Sequence, residues 1–307
     1  SWDDITPAGI IEKYAHPANL EEAERYPNVD WQKELFNNDA FSYNPNVNIS
    51  GGTKFVKYFA SIDFLHEGDL YRKWNNNRGY SAGYGFNRIN VRSNLDFQIT
   101  KTTKLKVALF GSNGMKQGPY GITSNTYAET QLWQAAYSAP PDAFLPRYSD
   151  GTWGYYPADT QSAPNSVTNL ALSGVDKYTT TRINTDFTLE QNLDFITKGL
   201  DASAMVSWDN VFVEDNRGIN DLYHNAQYKW IDPNTGLATY KESTDGNTNF
   251  DFQEGIKWTT ASGTVLNKYT QHNLYYQVQL NWARQFDLHH VTAMGVFSRQ
   301  EKTTGSE

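Results

Sequence analysis

A two-residue alternation of polar and apolar positions recurs along this chain. From Arg88 the even positions read Arg88, Asn90, Arg92, Asn94, Asp96 and Gln98, and the odd positions read Ile89, Val91, Ser93, Leu95, Phe97 and Ile99. A period of two places one set on each face of a β-strand. The pattern returns at Arg182–Asn192, where Ile183, Phe187 and Leu189 alternate with Arg182, Asn184, Asp186 and Glu190. It returns again at Asn273–Gln285, where Leu274, Tyr276, Val278, Leu280 and Trp282 oppose Asn273, Gln277, Gln279 and Asn281. In a soluble sandwich the apolar face is the core. In an outer-membrane barrel it faces lipid, and the polar face lines a wet lumen.

The pattern predicts eight strands, taken in pairs: Asn44–Ser50 with Lys54–Leu65, Asn87–Ile99 with Leu105–Ser112, Thr180–Asn192 with Leu200–Val213, and His272–Gln285 with His289–Gln300. Gly51-Gly52 reads as the turn of the first hairpin. Connections alternate short and long. The long ones, 66–86, 114–178 and 214–271, exceed what compact soluble domains usually carry between strands. Short turns at one end and long loops at the other are the habit of transmembrane barrels. Ahead of the strands, Thr6-Pro7 starts a short helix ended by Pro17. Within the second long loop, Thr126 and Glu129 form a capping box ahead of Leu132 and Trp133. The expected organisation is a helical and loop lead-in over 1–43, followed by a partial β-barrel domain over 44–307.

Composition narrows the choice. The chain has 307 residues, no cysteine and a formal net charge of −8, which speaks against a nucleic-acid surface. No run approaches the roughly 20 apolar residues of a membrane helix. A barrel strand needs only about 9–11 residues with half of them apolar, so a hydrophobic content of 38% suffices. The chain does not begin with methionine and has no signal peptide, and it reads as a piece of a longer protein.

Several stretches resemble a known family. They are Tyr26-Pro27-Asn28-Val29-Asp30-Trp31, Val47–Thr53 with its Ser50-Gly51-Gly52, and Val56-Lys57-Tyr58-Phe59-Ala60-Ser61. Asn87–Leu95, Ala139-Pro140-Pro141-Asp142, Asp150-Gly151-Thr152-Trp153-Gly154, Lys198-Gly199-Leu200 and Leu288–Met294 complete the set. In order and spacing they resemble the SusC/RagA-type TonB-dependent outer-membrane transporters of Bacteroidetes. The resemblance implies an all-β fold, an antiparallel segment of about eight strands from a 22-stranded barrel lying after an N-terminal plug. It implies an outer-membrane location, import of glycan or peptide oligomers, a SusD-like surface lipoprotein as partner, and no enzymatic activity or cofactor. The plug, the segment that meets TonB and the closing strand have no counterpart in these residues.

Candidate contact residues lie in the long loops. Trp133, Trp153, Tyr155 and Tyr156 stand out for contact with substrate or lid protein, since flat rings stack on sugar faces and pack against partners. The same rings equally serve to hold long loops together or to form an interfacial girdle. Asp245, Asn247, Asn249 and Asp251 alternate oxygen donors, but Phe250 and Ile256 stand where an EF-hand needs Gly and Glu. The histidines show no metal-ligand spacing. Asp63, Asp96, Asp186, Glu190 and Asp209 face the same side as Arg88, Arg92 and Arg182, which suggests cross-strand ion pairs. No carboxylate pair marks a glycosidase. The competing reading is a soluble β-rich carbohydrate-binding or adhesion module.

Overall fold

The computed structural model describes residues 6–120, 130–158, 163–215, 217–221, 226–241 and 259–305. The capping box at Thr126 and the oxygen-donor run from Asp245 lie outside them. Eight long strands form one antiparallel wall: β2 (Asn46–Gly52), β3 (Val56–Glu67), β4 (Gly85–Gln98), β5 (Thr103–Gly118), β7 (Gly174–Asn192), β8 (Leu200–Asp215), β14 (Gln271–Phe286) and β15 (His289–Thr304). They neighbour one another in chain order, a meander left open between β2 and β15. Short strands extend it: β1 (Ser42–Tyr43) beside β3, β9 (Gly218–Asn220) beside β7, β12 (Thr259–Ala261) beside β9 and β13 (Thr264–Val265) beside β8. A second sheet of three strands holds β6 (Trp153–Gly154), β10 (Tyr228–Ile231) and β11 (Ala238–Lys241).

The register gathers the apolar positions onto one face. A single row reads Val56, Phe97, Leu105, Leu189, Ala204, Val278, Phe297 across seven strands. The next reads Tyr58, Leu95, Val107, Phe187, Val206, Tyr276 and then Arg299. No buried residue of the hydrophobic core lies under these rows, and Val91, Phe187, Val206, Val278 and Phe297 are exposed. The described residues of the chain put no second layer over this face.

The apolar band also drifts across the wall. On β3 its upper end is Phe64, below His66. On β15 it is Phe297, below Arg299, and the row of Phe297 reaches β3 at Val56. The boundary thus falls eight residues over six strand-to-strand steps. With about 3.3 Å per residue and about 4.8 Å between strands, that slope is a strand tilt of roughly 40° if the band is level. This is the tilt of strands in a membrane barrel. The chain is an antiparallel segment of such a wall.

The opposite face is polar and bonded within itself. Down β14, the Tyr275 hydroxyl donates to Gln277 (2.5 Å), Gln277 to Gln279 (3.0 Å) and Gln279 to Asn281 (2.7 Å). Asn90 donates to Asp63 at 2.9 Å, Ser207 donates to Asp186, and Lys106 meets Glu190 at 2.5 Å. The expected arginine pairs do not form. The register sets Arg92 between Ser61 and Phe110, Arg88 between Leu65 and Gly114, and Arg182 between Ser112 and Val211. Arg92 lies over the Phe110 ring at 5.7 Å.

Two local expectations change. Gly51 and Gly52 are strand residues opposite Tyr58 and Lys57, and the turn is Thr53–Phe55, where the Thr53 hydroxyl accepts from the backbones of Phe55 and Val56. The Tyr58 ring lies across Gly51, and a larger residue there would have to displace it. A Cβ there sits 2.6 Å from the phenol oxygen. Several strands also run past their predicted ends, β5 to Gly118 instead of Ser112 and β7 from Gly174 instead of Thr180.

The long connections, now 68–84, 119–173 and 216–270, share one end of the wall, and the buried hydrophobic core lies among them. Helices α1 (Ala8–Ala15), α2 (Leu20–Arg25) and α3 (Trp31–Leu35) precede the wall, and α4 (Ala135–Ser138) and α5 (Ser166–Leu172) lie in the second connection. Asn19 caps α2 and Asp30 caps α3, each side chain accepting from a backbone N–H of the first turn. Helix α3 carries Trp31 and Leu35 into the core, where Trp31 meets Phe144 edge to face at 5.1 Å.

The uncovered band predicts an asymmetric response to charge. In the full-length protein, Val91→Arg or Leu95→Arg should cost about 2–4 kcal/mol near the bilayer midplane and block stable insertion, while Asn94→Arg should not. Heat-modifiable gel mobility reads the difference, and equal loss on both faces would contradict a lipid-facing band.

Candidate substrate-contact site

The loop cluster contains a cleft of about 480 Å³, with Gln131, Gln134, Asn165, Asn169, Tyr155, Tyr156, Tyr228 and Lys241 among its lining residues. The small sheet builds it. Strand β6 runs parallel to β10, and β10 pairs with β11. The two tyrosines after β6 therefore emerge beside Tyr228 and Trp230 of β10. Tyr155 meets Tyr228 edge to face at 6.4 Å, and Tyr156 meets Trp230 at 6.1 Å. Burial pushes the Tyr155 phenol up from its ordinary pKa, which keeps it a neutral donor.

Asn165 fastens the floor. Its Nδ2 donates to the carbonyls of Pro146 (2.8 Å) and Gly154 (2.9 Å). Its Oδ1 is buried with no hydrogen-bond partner among the described residues. Four carboxamides, three phenols and one ammonium make a surface rich in neutral donors and acceptors. Such a lining suits a polar, uncharged or anionic oligomer, and it holds no carboxylate to act as general acid.

The four aromatic residues singled out from the sequence occupy three different places. Tyr155 and Tyr156 line the cleft. Trp153 is 4% exposed in the core, beneath Arg147 at 4.9 Å and beside Trp74 at 6.5 Å. An indole so placed holds the loop that presents the tyrosines. Trp133 is 37% exposed, packs on Tyr137 at 5.3 Å and does not line the cleft.

Two buried ionic clusters, which periodicity and motif reading did not single out, tie the connections together. The Lys229 ammonium, 7% exposed, donates to Asp150 at 2.6 Å and lies 3.5 Å from Glu24, with the Tyr148 ring at 4.5 Å. Glu24 in turn accepts from the backbone and hydroxyl of Ser149, at 2.9 and 2.5 Å. Burial pushes the Asp150 carboxyl up, and Lys229 with the Thr152 hydroxyl and N–H outweighs it, so the group is held below the usual carboxylate range. In the second cluster Asp221 is fully buried and accepts from Arg78 (3.0 Å) and Tyr80 (2.5 Å). Burial pushes Asp221 up, against the pull of Tyr80 and Arg78. The only sequence cue to either was the Asp150-Gly151 turn, whose Asp150 Oδ1 accepts from the Thr152 N–H at 2.9 Å while Gly151 takes a φ of 90°.

Comparison with solved structures returns the RagAB peptide importer in two states. In the closed-closed state the TM-score is 0.54 at 15% identity, covering 98% of this chain and 30% of the solved chain. In the open-open state it is 0.53 at 16% identity, covering 99% and 30%. The likeness is one of fold, and this chain spans about 30% of the length of those it matches. No family model and no curated protein matches the chain.

Lys229→Met leaves Glu24 and Asp150 facing each other without a cation. The loop cluster should lose about 2–3 kcal/mol, less than a fully buried pair because Asp150 is partly solvated. Trp153→Ala should cost about 3–5 kcal/mol through the cavity it leaves. Hydrogen exchange should rise across the connections in both variants and stay unchanged in β4 and β5. A rise spread equally over wall and loops would refute this division.

Proposed function

We propose that this chain is part of the wall and mouth of an outer-membrane, TonB-dependent importer of the SusC/RagA kind. It takes up glycan or peptide oligomers with a SusD-like lipoprotein at its mouth. The observation that carries the reading is the tilted apolar band with no layer over it. A soluble carbohydrate-binding or adhesion module has to bury such a face, and this one exposes it along the wall. The fold likeness to a peptide importer supports the same reading, as do the stretches that resemble the family.

In this reading the long connections stand at the cell surface and the short turns in the periplasm. The cleft of Tyr155, Tyr156 and Asn165 meets the incoming oligomer, and the exposed Trp133–Tyr137 pair meets substrate or lid. The chemistry is binding and passage. Coupling to TonB belongs to parts of the parent protein outside these residues.

Tyr155→Ala combined with Tyr156→Ala should slow uptake of the cognate oligomer while the barrel still assembles. A well-packed ring contributes on the order of 1 kcal/mol beyond its buried area, so the pair should weaken binding about tenfold or more. Growth on the oligomer, with co-purification of the lipoprotein, measures this. Unchanged growth and unchanged co-purification would remove the cleft from the contact surface.

A further inference from the structure

The polar face of the wall carries three arginines close together. The register sets Arg88 beside Gly114, Asn90 beside Ser112 and then Arg182, and Arg92 beside Phe110. Arg88 and Arg182 thus flank the small residues Gly114 and Ser112 of β5 from either side. Two strand steps and two residues separate them, roughly 12 Å between backbones. Both long side chains reach a group lying over Ser112. Arg92 stands four residues below Arg88, roughly 13 Å down β4. None of the three guanidinia has a carboxylate at ion-pair distance among the described residues. Two carboxylates of this face are engaged elsewhere, Asp63 by Asn90 (2.9 Å) and Asp186 by Ser207. Asp209, diagonal to Arg182 across the β7–β8 ladder, does not reach it. The Arg88 Nε is buried without a hydrogen-bond partner among the described residues.

An aromatic ring accompanies the arginines of β4. Phe86 leans over Gly114 beside Arg88: a Cβ on Gly114 would stand 3.5 Å from the Phe86 ring and 3.7 Å from the Arg88 Cγ. The Phe110 ring lies 5.7 Å from the Arg92 guanidinium. At the upper end Phe86 faces Lys116 across the ladder, and the two line a groove of about 360 Å³ with Tyr84 and Glu67.

We propose that Arg88, Arg92 and Arg182, with Phe86 and Phe110, form a track that binds the uronic-acid units of an anionic glycan as it passes down the lumen. The proposal rests on the importer reading, which makes this face the lumen, and it names the substrate class. A uronic acid carries both chemistries on one unit. Its ring C–H groups lie on an aromatic face, and its carboxylate takes two parallel N–H bonds from a guanidinium. A neutral sugar leaves the guanidinia unmatched. An acidic peptide side chain brings no flat apolar face to Phe86 or Phe110.

The test titrates the purified full-length protein with a galacturonic-acid trimer, a neutral galactose trimer and a tri-glutamate peptide. The uronate trimer should bind tightest, and added salt should weaken it. Arg88→Gln combined with Arg182→Gln should weaken it about tenfold or more and leave the galactose trimer unchanged, since charge-assisted hydrogen bonds are lost. Arg92→Gln alone, a change at an exposed side chain, should give a smaller loss of the same kind. Heat-modifiable gel mobility checks that each variant barrel assembles. Equal loss for both trimers, no loss, no binding of the uronate trimer, or tighter binding of tri-glutamate overturns the track. Uptake by cells separates this result from the importer reading. Uptake that depends on the protein for the galactose trimer or tri-glutamate but not for the uronate trimer overturns the track alone. Uptake of all three that is unchanged when the protein is deleted overturns the importer reading, and the track with it.

Discussion

Everything in this wall follows from one requirement: each backbone N–H and C=O must find its partner within the sheet. A wall of this kind has lipid on one side and water on the other, so it keeps no core beneath it. The side chains are then free to sort by face alone, and a bare period of two survives in the sequence over whole strands. The same requirement sets the tilt. Because the ladder is staggered, a level apolar band has to descend along it, which is why Phe64 and Phe297 mark the same boundary from rows eight residues apart.

The burial that a soluble protein puts under its sheet is concentrated here in the connections. Val29, Trp31, Leu35, Leu132, Phe144, Trp153, Val167, Leu170 and Leu172 come from the segment before β2 and from the second connection, and Ala226 from the third. By charge, Lys229 binds the third connection to the lead-in and the second, and Asp221 binds it to the first. Isolated ion pairs of this sort add little net stability over apolar packing. Their effect is to fix which loop lies against which, since a misdocked loop would leave an ammonium or a carboxylate buried alone.

What the sequence made legible was whatever a face with no layer over it enforces. Ile89, Val91, Leu95 and Phe97 alternate with polar neighbours, and with Ser93 among them they fall on one face in the structure. Where the wall rises above the band, both faces meet water and the alternation stops. Ser112, Asn113, Gly114 and Lys116 continue β5 without any periodic sign of it. Gly51-Gly52 misled because glycine pairs usually mark turns, whereas Gly51 makes room for the ring of Tyr58. Tyr155 and Tyr156 reach the cleft as ring-rich loop residues should, yet Trp153, from the same short run, is swallowed by the core. Nothing local distinguishes a ring that presents itself from one that anchors. Lys229 was illegible for a similar reason: its partners, Glu24 and Asp150, are 205 and 79 positions away.

The mutual docking of these connections has a mechanical consequence. Loops that each carried their own fold would open singly, like separate fingers. Loops that share one hydrophobic core and are clasped by Lys229 and Asp221 cannot part singly without opening that core. The described parts of the connections meet the wall near Gly68, Pro119, Gly174 and Thr270. Gly174 takes a φ of 98° there, and Thr270 is buried. To displace one of these connections is to break the packing of the others.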